Sequence, residues 1–309
     1  MNWRDAKPYV INKDMGRPLV DYEDELPTKN ADGLDVVEPT EEQKYLFDTQ
    51  GWLLIESVLD EAELEEMREW CVKYHFERDS LAEHHQTPLA GPTHRLADHP
   101  VTVGMLNEFT ANPAVSSRDC YGFSLGGFEL WYRTAPTRRT EGLREDRSFG
   151  PHNGNGLMRL PGDVHFYNAF PGKAFCPHMR IVWELNPVQK GKGGTLLVTG
   201  SHKSVYTAPD EIMDPESSVW TTYECPAGSV LFFAEATTHS ANPWTNTDND
   251  RMAIAGLYNQ VDGGWAPTMK PDEKLLEELP PMRRTLFRDR YITNNVNGVP
   301  HNRLFGASA

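Results

Sequence analysis

The apolar positions along this chain change period, and the changes mark out its elements. Thr40-Glu41-Glu42-Gln43 has the form of a capping box, and the residues after it read as a helix to about Thr49. Gly51-Trp52-Leu53-Leu54-Ile55-Glu56-Ser57-Val58 is apolar and β-prone, a short strand. Asp60 caps a second helix, whose Leu64, Met67, Trp70 and Cys71 fall three or four apart. From Gly126 the period shortens to strands and turns. Phe128–Tyr132 is one strand, and others are expected around 164–169, 179–185, 195–199, 219–224, 229–234 and 252–260. Pro161-Gly162, Pro171-Gly172, Gly193-Gly194 and Pro226-Ala227-Gly228 punctuate them. Residues 270–290 return to a charged amphipathic helix with Leu275, Leu276, Leu279 and Met282 on its apolar side.

Short strands without long intervening helices point to a mainly β fold, an antiparallel sandwich or jelly roll, here with flanking N-terminal and C-terminal helices. Residues 1–39 carry Pro8, Pro18, Pro27 and Pro39 and read as an extended arm; 40–309 is expected to form a single domain. Residues 77–118 show no clear period, and His84, His85, His94 and His99 there match no metal motif. The chain has no internal repeat.

With 309 residues and 39% hydrophobic composition, the chain can bury one large core. A formal net charge of −15 opposes general binding to nucleic acid or to an anionic membrane, both of which need clustered Lys and Arg. No stretch approaches the roughly 18 apolar residues of a membrane span. Cys71, Cys120, Cys176 and Cys225 are far apart, and the N-terminus has no apolar leader segment. The expectation is reduced thiols in a cytoplasmic protein. The oligomeric state is not legible.

The candidate chemistry sits in His152-Asn153-Gly154 and the distant His239. A His, a carboxylate two residues on and a second His make the face that holds a catalytic non-haem Fe(II). Gly154 stands where the carboxylate belongs. Arg251 offers a planar fork matched to a carboxylate. His239 and Arg251 are expected on adjacent strands of one hairpin, turning at Asn246-Thr247-Asp248-Asn249. His165 and Tyr167 share a face by parity, as do His178, Arg180 and Glu184 on the next strand. A Glu in a barrel interior is costly unless paired, so Glu184 either pairs with Arg180 or replaces the missing carboxylate; Asp163 is a weaker candidate for that role. Residues 134–149, with Arg138, Arg139, Arg144 and Arg147, read as a polar loop. Trp131, Tyr132, Trp220 and Trp244 belong to a pocket wall or to the core, and His202 to a structural turn.

Several pieces arrive in one order: the helical start with Gln50-Gly51-Trp52, His152-Asn153-Gly154, Trp183-Glu184-Leu185-Asn186, Gly193 to Lys203 with its Gly-Ser-His-Lys turn, Gly228 to Phe233, Thr238-His239-Ser240 and Arg251. Over residues 40–265 this resembles the phytanoyl-CoA dioxygenase-like family of Fe(II)/2-oxoglutarate-dependent oxygenases. The resemblance implies a double-stranded β-helix, the cupin-like jelly roll, with metal ligands His152 and His239. It implies that Arg251 pairs with the C5 carboxylate of 2-oxoglutarate, and that Tyr167, Ser240 and Asn242 are candidates to line the co-substrate pocket. It further implies O₂ as oxidant and an aliphatic C–H bond of a small molecule as target. Gly154 departs from the family pattern and leaves three outcomes open. Chloride occupies the position, as in radical halogenases that carry Gly or Ala there. Alternatively water or another carboxylate fills it and the product is hydroxylated, or metal binding is weak and the barrel is a non-catalytic binding module.

Overall fold

The computed structural model describes residues 26–139, 149–153, 157, 165–170, 172–261, 268–288 and two short strand pieces, 295–296 and 299–300. Most of the expected arm (1–25), Gly154, Asp163, the stretch 140–148 with Arg144 and Arg147, and most of the tail lie outside the described residues.

The two N-terminal helices form as their caps dictate. In α1 (Glu41–Gln50) the Thr40 hydroxyl accepts from the Gln43 N–H, and the Gln43 side chain reaches back to the Thr40 N–H. The helix ends at Gly51, whose φ of 80° only glycine adopts without cost. Strand β1 (Trp52–Ile55) follows, and α2 (Glu61–Phe76) starts at a second capping box, Asp60 with Glu63. A third helix, α3 (Pro100–Phe109), crosses the stretch that shows no period in sequence. It is buried nearly all round, so no polar stripe reveals it. His99 caps it, its Nδ1 accepting from the Val101 N–H at 3.3 Å.

Strands β2 (Phe123–Arg133), β3 (Asn168–Phe170), β4 (Lys173–Phe175), β5 (His178–Glu184), β6 (Thr195–Leu197), β7 (Ser229–Ala234), β8 (His239–Ala241) and β9 (Arg251–Gln260) build the body. One five-stranded antiparallel sheet has the order β1-β7-β5-β9-β2. A smaller sheet pairs β6 with β8 and is widened by single bridges, His152 to His239 and Leu197 to Thr221. These two sheets form the double-stranded β-helix. The central strands β5, β7 and β9 are buried on both faces, so they read as continuous apolar runs. On one face Met179, Ile181, Trp183, Phe232 and Ile254 join the core shared with the helices. The other face carries Val182, Leu231, Phe233, Ala253 and Ala255, packed with Leu197 of the smaller sheet and Trp244. By strand parity Arg180, Glu184 and Arg251 lie on this second, interior face.

Three expectations are corrected. His239 and Arg251 do not share a hairpin: β8 pairs with β6 in the smaller sheet, and β9 pairs with β5 and β2 in the larger one. The segment 219–224 is not a strand; only Thr221 bridges, to Leu197. The helix over 270–290 breaks into α4 (Glu273–Glu278), α5 (Pro281–Arg284) and a 3₁₀ turn at Thr285–Phe287. Pro280 and Pro281 cause the break, since proline lacks the N–H and forces its predecessor out of helical geometry. Arg283 then locks this C-terminal piece to the body, donating to Asp98 at 2.7 Å and Asp32 at 2.5 Å. Among the described residues no helix is long and apolar enough to cross a membrane.

Candidate active site

His152 and His239 meet because their backbones pair. Each donates its N–H to the other's carbonyl, at 3.0 and 2.9 Å. Directly opposed residues of an antiparallel pair project from one face. The two imidazole rings accordingly lie 4.1 Å apart, centroid to centroid. The Nδ1 of His152 lies 2.8 Å from the Gly150 carbonyl, and the Nδ1 of His239 lies 2.7 Å from the Thr237 carbonyl. A carbonyl can only accept, so each Nδ1 carries the proton and each Nε2 presents a lone pair. Metal-binding histidines are oriented in this way.

A cavity of about 210 Å³ opens beside the pair. Arg251, Arg180, Thr195, Trp131, Ser240 and Asn242 are among its lining residues. Trp131 lies under both guanidinium groups, 5.3 Å from Arg251 and 5.8 Å from Arg180. The Ser240 hydroxyl also accepts from the Gly150 N–H at 2.8 Å, fastening the His152 segment to β8. Tyr167 stands apart from the cavity: its hydroxyl donates to Asp48 at 2.9 Å, and its ring packs edge-on to His202. Of the other aromatic candidates, Trp244 is core, and Tyr132 donates to Asp250.

The interior charges pair differently from the expected Arg180–Glu184 couple. Four residues along one strand span about 13 Å, too far for contact. Glu184 sits instead diagonally across from Arg251 on the neighbouring strand. Arg251 donates to it at 2.6 and 3.4 Å, and Tyr223 donates at 2.6 Å. Arg251 therefore lines the cavity with its fork already holding a carboxylate of the protein. Burial opposes its charge, but Glu184 outweighs burial and raises its pKa further. Arg180 donates its Nε to Glu235 at 2.8 Å, while its Nη1 is buried with no hydrogen-bond partner.

Glu235 belongs to no sequence motif. It follows the buried strand Val230-Leu231-Phe232-Phe233-Ala234 and sits on the turn that carries the chain from the larger sheet to the smaller. Its N–H donates to the His178 carbonyl at 3.0 Å. Its Oε2 lies 3.6 Å from the His239 Nε2. Burial would raise its pKa, but the Arg180 guanidinium, the strongest opposing influence, outweighs that together with the neighbouring imidazoles and holds it well below the usual carboxylate range. The readable signal was a lone acid closing an all-apolar strand four residues before His239. Among the described residues, His152, Glu235 and His239 form one group able to hold a metal; His165, His178 and Glu235 form another; His84, His85 and Glu278 form a third, on the surface.

A double-stranded β-helix with two cross-strand imidazoles and a cationic cavity defines the class of cupin-like metal oxygenases. The sequence matches the phytanoyl-CoA dioxygenase family over residues 47–253, and the chain belongs to that family of iron- and 2-oxoglutarate-dependent oxygenases. No curated protein sequence matches it. Among solved structures, it is similar to HygX from Streptomyces hygroscopicus with iron bound, at 22% identity and TM-score 0.54, covering 72% of this chain and 87% of that one. HygX with nickel, 2-oxoglutarate and hygromycin B bound gives 22% identity, TM-score 0.53 and the same coverage. Apo EctD from S. alaskensis is similar at 16% identity and TM-score 0.50, covering 82% of this chain and 86% of that one.

Proposed function

We propose that this protein oxidises an aliphatic C–H bond of a small molecule, using Fe(II), 2-oxoglutarate and O₂. The observation that carries the reading is the His152–His239 pair, each ring held through Nδ1 by a backbone carbonyl, lining one cavity with Arg251. These donors fit the metal: imidazole suits Fe(II), and two ring nitrogens leave coordination positions for a bidentate 2-oxo acid and for O₂. When bound, the iron would activate O₂, the oxidant; 2-oxoglutarate would give up two of the four electrons that O₂ takes and leave as succinate and CO₂, and the substrate C–H bond would supply the other two.

The chain's own residues bind and orient. Arg251 attracts the distal carboxylate of the co-substrate, and the Glu184 carboxylate fixes the guanidinium in place beforehand. The buried Nη1 of Arg180 gains the partner it lacks when an anion enters, removing the cost of an unpaired donor. The Trp131 ring packs against both guanidinium groups and adds a cation–π contact to each. Ser240 and Asn242 close the side next to His239.

Hydroxylation is the outcome the site favours, because the Glu235 carboxylate lies beside the two histidines. Gly154 in the sequence favours a second reading, chlorination. With Fe(II) and 2-oxoglutarate, the purified protein should form succinate, and His239→Ala should abolish it. A candidate substrate should then stimulate turnover and gain oxygen alone, at the same rate in chloride-free buffer. A product that gains chlorine selects the second reading. No succinate under any condition removes both.

A further inference from the structure

We infer that Glu235 supplies the carboxylate ligand that position 154 lacks, completing a metal site with His152 and His239. This rests on the Fe(II)/2-oxoglutarate reading of the same cavity. The ligand comes from a different strand and a different sheet from the one the family's His-x-carboxylate pattern uses.

Both histidines commit their Nδ1–H to backbone carbonyls, so bare Nε2 lone pairs face the carboxylate. At 3.6 Å the His239 Nε2 and Glu235 Oε2 are too far apart for a hydrogen bond. Their lone pairs face each other. One donor atom from each of the three side chains falls within 4.8 Å of the others. Three converging lone pairs repel unless a cation sits among them. Metal–ligand bonds of about 2.1 Å place neighbouring donors about 3 Å apart, so a shift of about 1 Å per side chain closes the shell.

Arg180 binds the Glu235 Oε1 at 2.8 Å, which directs Oε2 toward the imidazoles. Such an outer partner is the usual companion of a carboxylate ligand. Glu235 is buried at 4% exposure, and Arg180 supplies the compensation that burial requires. Glu184, the other buried carboxylate on the strands around this cavity among the described residues, is fully engaged by Arg251 and Tyr223.

Glu235 also neighbours His165 and His178, but those two are buried at 3% and 2% exposure and do not line the cavity. His152 and His239 do line it, beside Arg251. A 2-oxo acid and O₂ can therefore reach the first pair.

The test is Co(II) binding to the metal-free full-length protein, by calorimetry and by the visible absorption of bound Co(II). Glu235→Gln, His152→Ala and His239→Ala should each weaken binding at least about tenfold and alter the spectrum, with His178→Ala near wild type. Wild-type affinity and an unchanged spectrum in Glu235→Gln would overturn the assignment. So would a loss that follows His178→Ala and spares His152→Ala. Should Glu235→Gln fail to fold, a crystal structure of the unaltered protein with Mn(II) decides. Glu235 coordinating the metal supports the assignment, and a shell without it refutes it. The two readings fail separately. Wild type that binds Co(II) and makes succinate, with Glu235→Gln unchanged, sinks only the ligand assignment. Binding through Glu235 without succinate formation sinks only the oxygenase reading.

Discussion

Replacing Glu184 by Gln probes the electrostatic centre of the barrel. The side chains of Arg251 and Glu184 are 5% and 0% exposed, with Nη2 and Oε1 2.6 Å apart. Unit charges about 4 Å apart at an effective dielectric near 20 attract by about 4 kcal/mol. Gln can still accept from Tyr223, but its amide NH₂ opposes the donors of Arg251 and leaves a buried cation without a counter-charge. Losing one partner of a buried pair costs about 3–5 kcal/mol. Equilibrium urea denaturation of metal-free protein should show that loss. The same experiment with Mn(II) and 2-oxoglutarate reads out function. If Arg251 faces the co-substrate carboxylate, 2-oxoglutarate should stabilise Glu184→Gln more than wild type, because the uncompensated guanidinium binds the anion more strongly. A stability loss under about 1 kcal/mol would refute the charge reasoning. An equal 2-oxoglutarate effect in both proteins would refute the placement of the anion at Arg251.

Thr40→Ala removes a capping box and should cost about 1 kcal/mol by urea denaturation, with succinate formation unchanged. Gly51→Ala places a Cβ 2.4 Å from His202 and 2.5 Å from Thr237 at a φ of +80°, so it should cost at least about 2 kcal/mol. It should also weaken Co(II) binding, because Thr237 belongs to the turn that holds Glu235 and His239; full affinity would show that the turn is independent of Gly51. His99 has its pKa lowered to about 4 by burial, which Asp32 only partly opposes, against about 6.5 unfolded. The unfolded chain therefore binds the extra proton between those values, and stability rises with pH there. The contribution, at most about 3 kcal/mol, is complete above pH 6.5 and lost as pH falls toward 4. Wild type should accordingly lose its stability advantage over His99→Asn across that window, and a constant difference would refute this.

Most of the fold could be read from the chain because its signals were local. Thr40 with Gln43, and Asp60 with its apolar helix, set their caps within four residues, and the apolar runs of β5, β7 and β9 matched buried strands. Two helical signals failed for opposite reasons. The helix after Pro100 is apolar on every side, so it has no periodic contrast. The one over 270–290 has the contrast, but Pro280-Pro281 cuts it. At the site, His152, His239 and Arg251 stood out through their flanking residues. Glu235 did not, because its significance arises only when the turn after β7 brings it against imidazoles from the other sheet. Parity placed Arg180 and Glu184 on the correct face but cannot choose partners across strands. That choice depends on register, which the structure sets between β5 and β9.

The spacing of the two histidines is fixed by a pair of backbone hydrogen bonds rather than by the chain between them. The spacing of the two rings should therefore tolerate changes in length in the exposed loops of the intervening sequence, though not in the buried strands β5, β6 and β7 or the turn that carries Glu235. The exposed stretch around Asp210–Met213 and Val219 is a natural place for insertions and deletions. A lineage could remodel such surface segments, and with them the molecules admitted, while its reactive centre stays where the sheet pairing puts it.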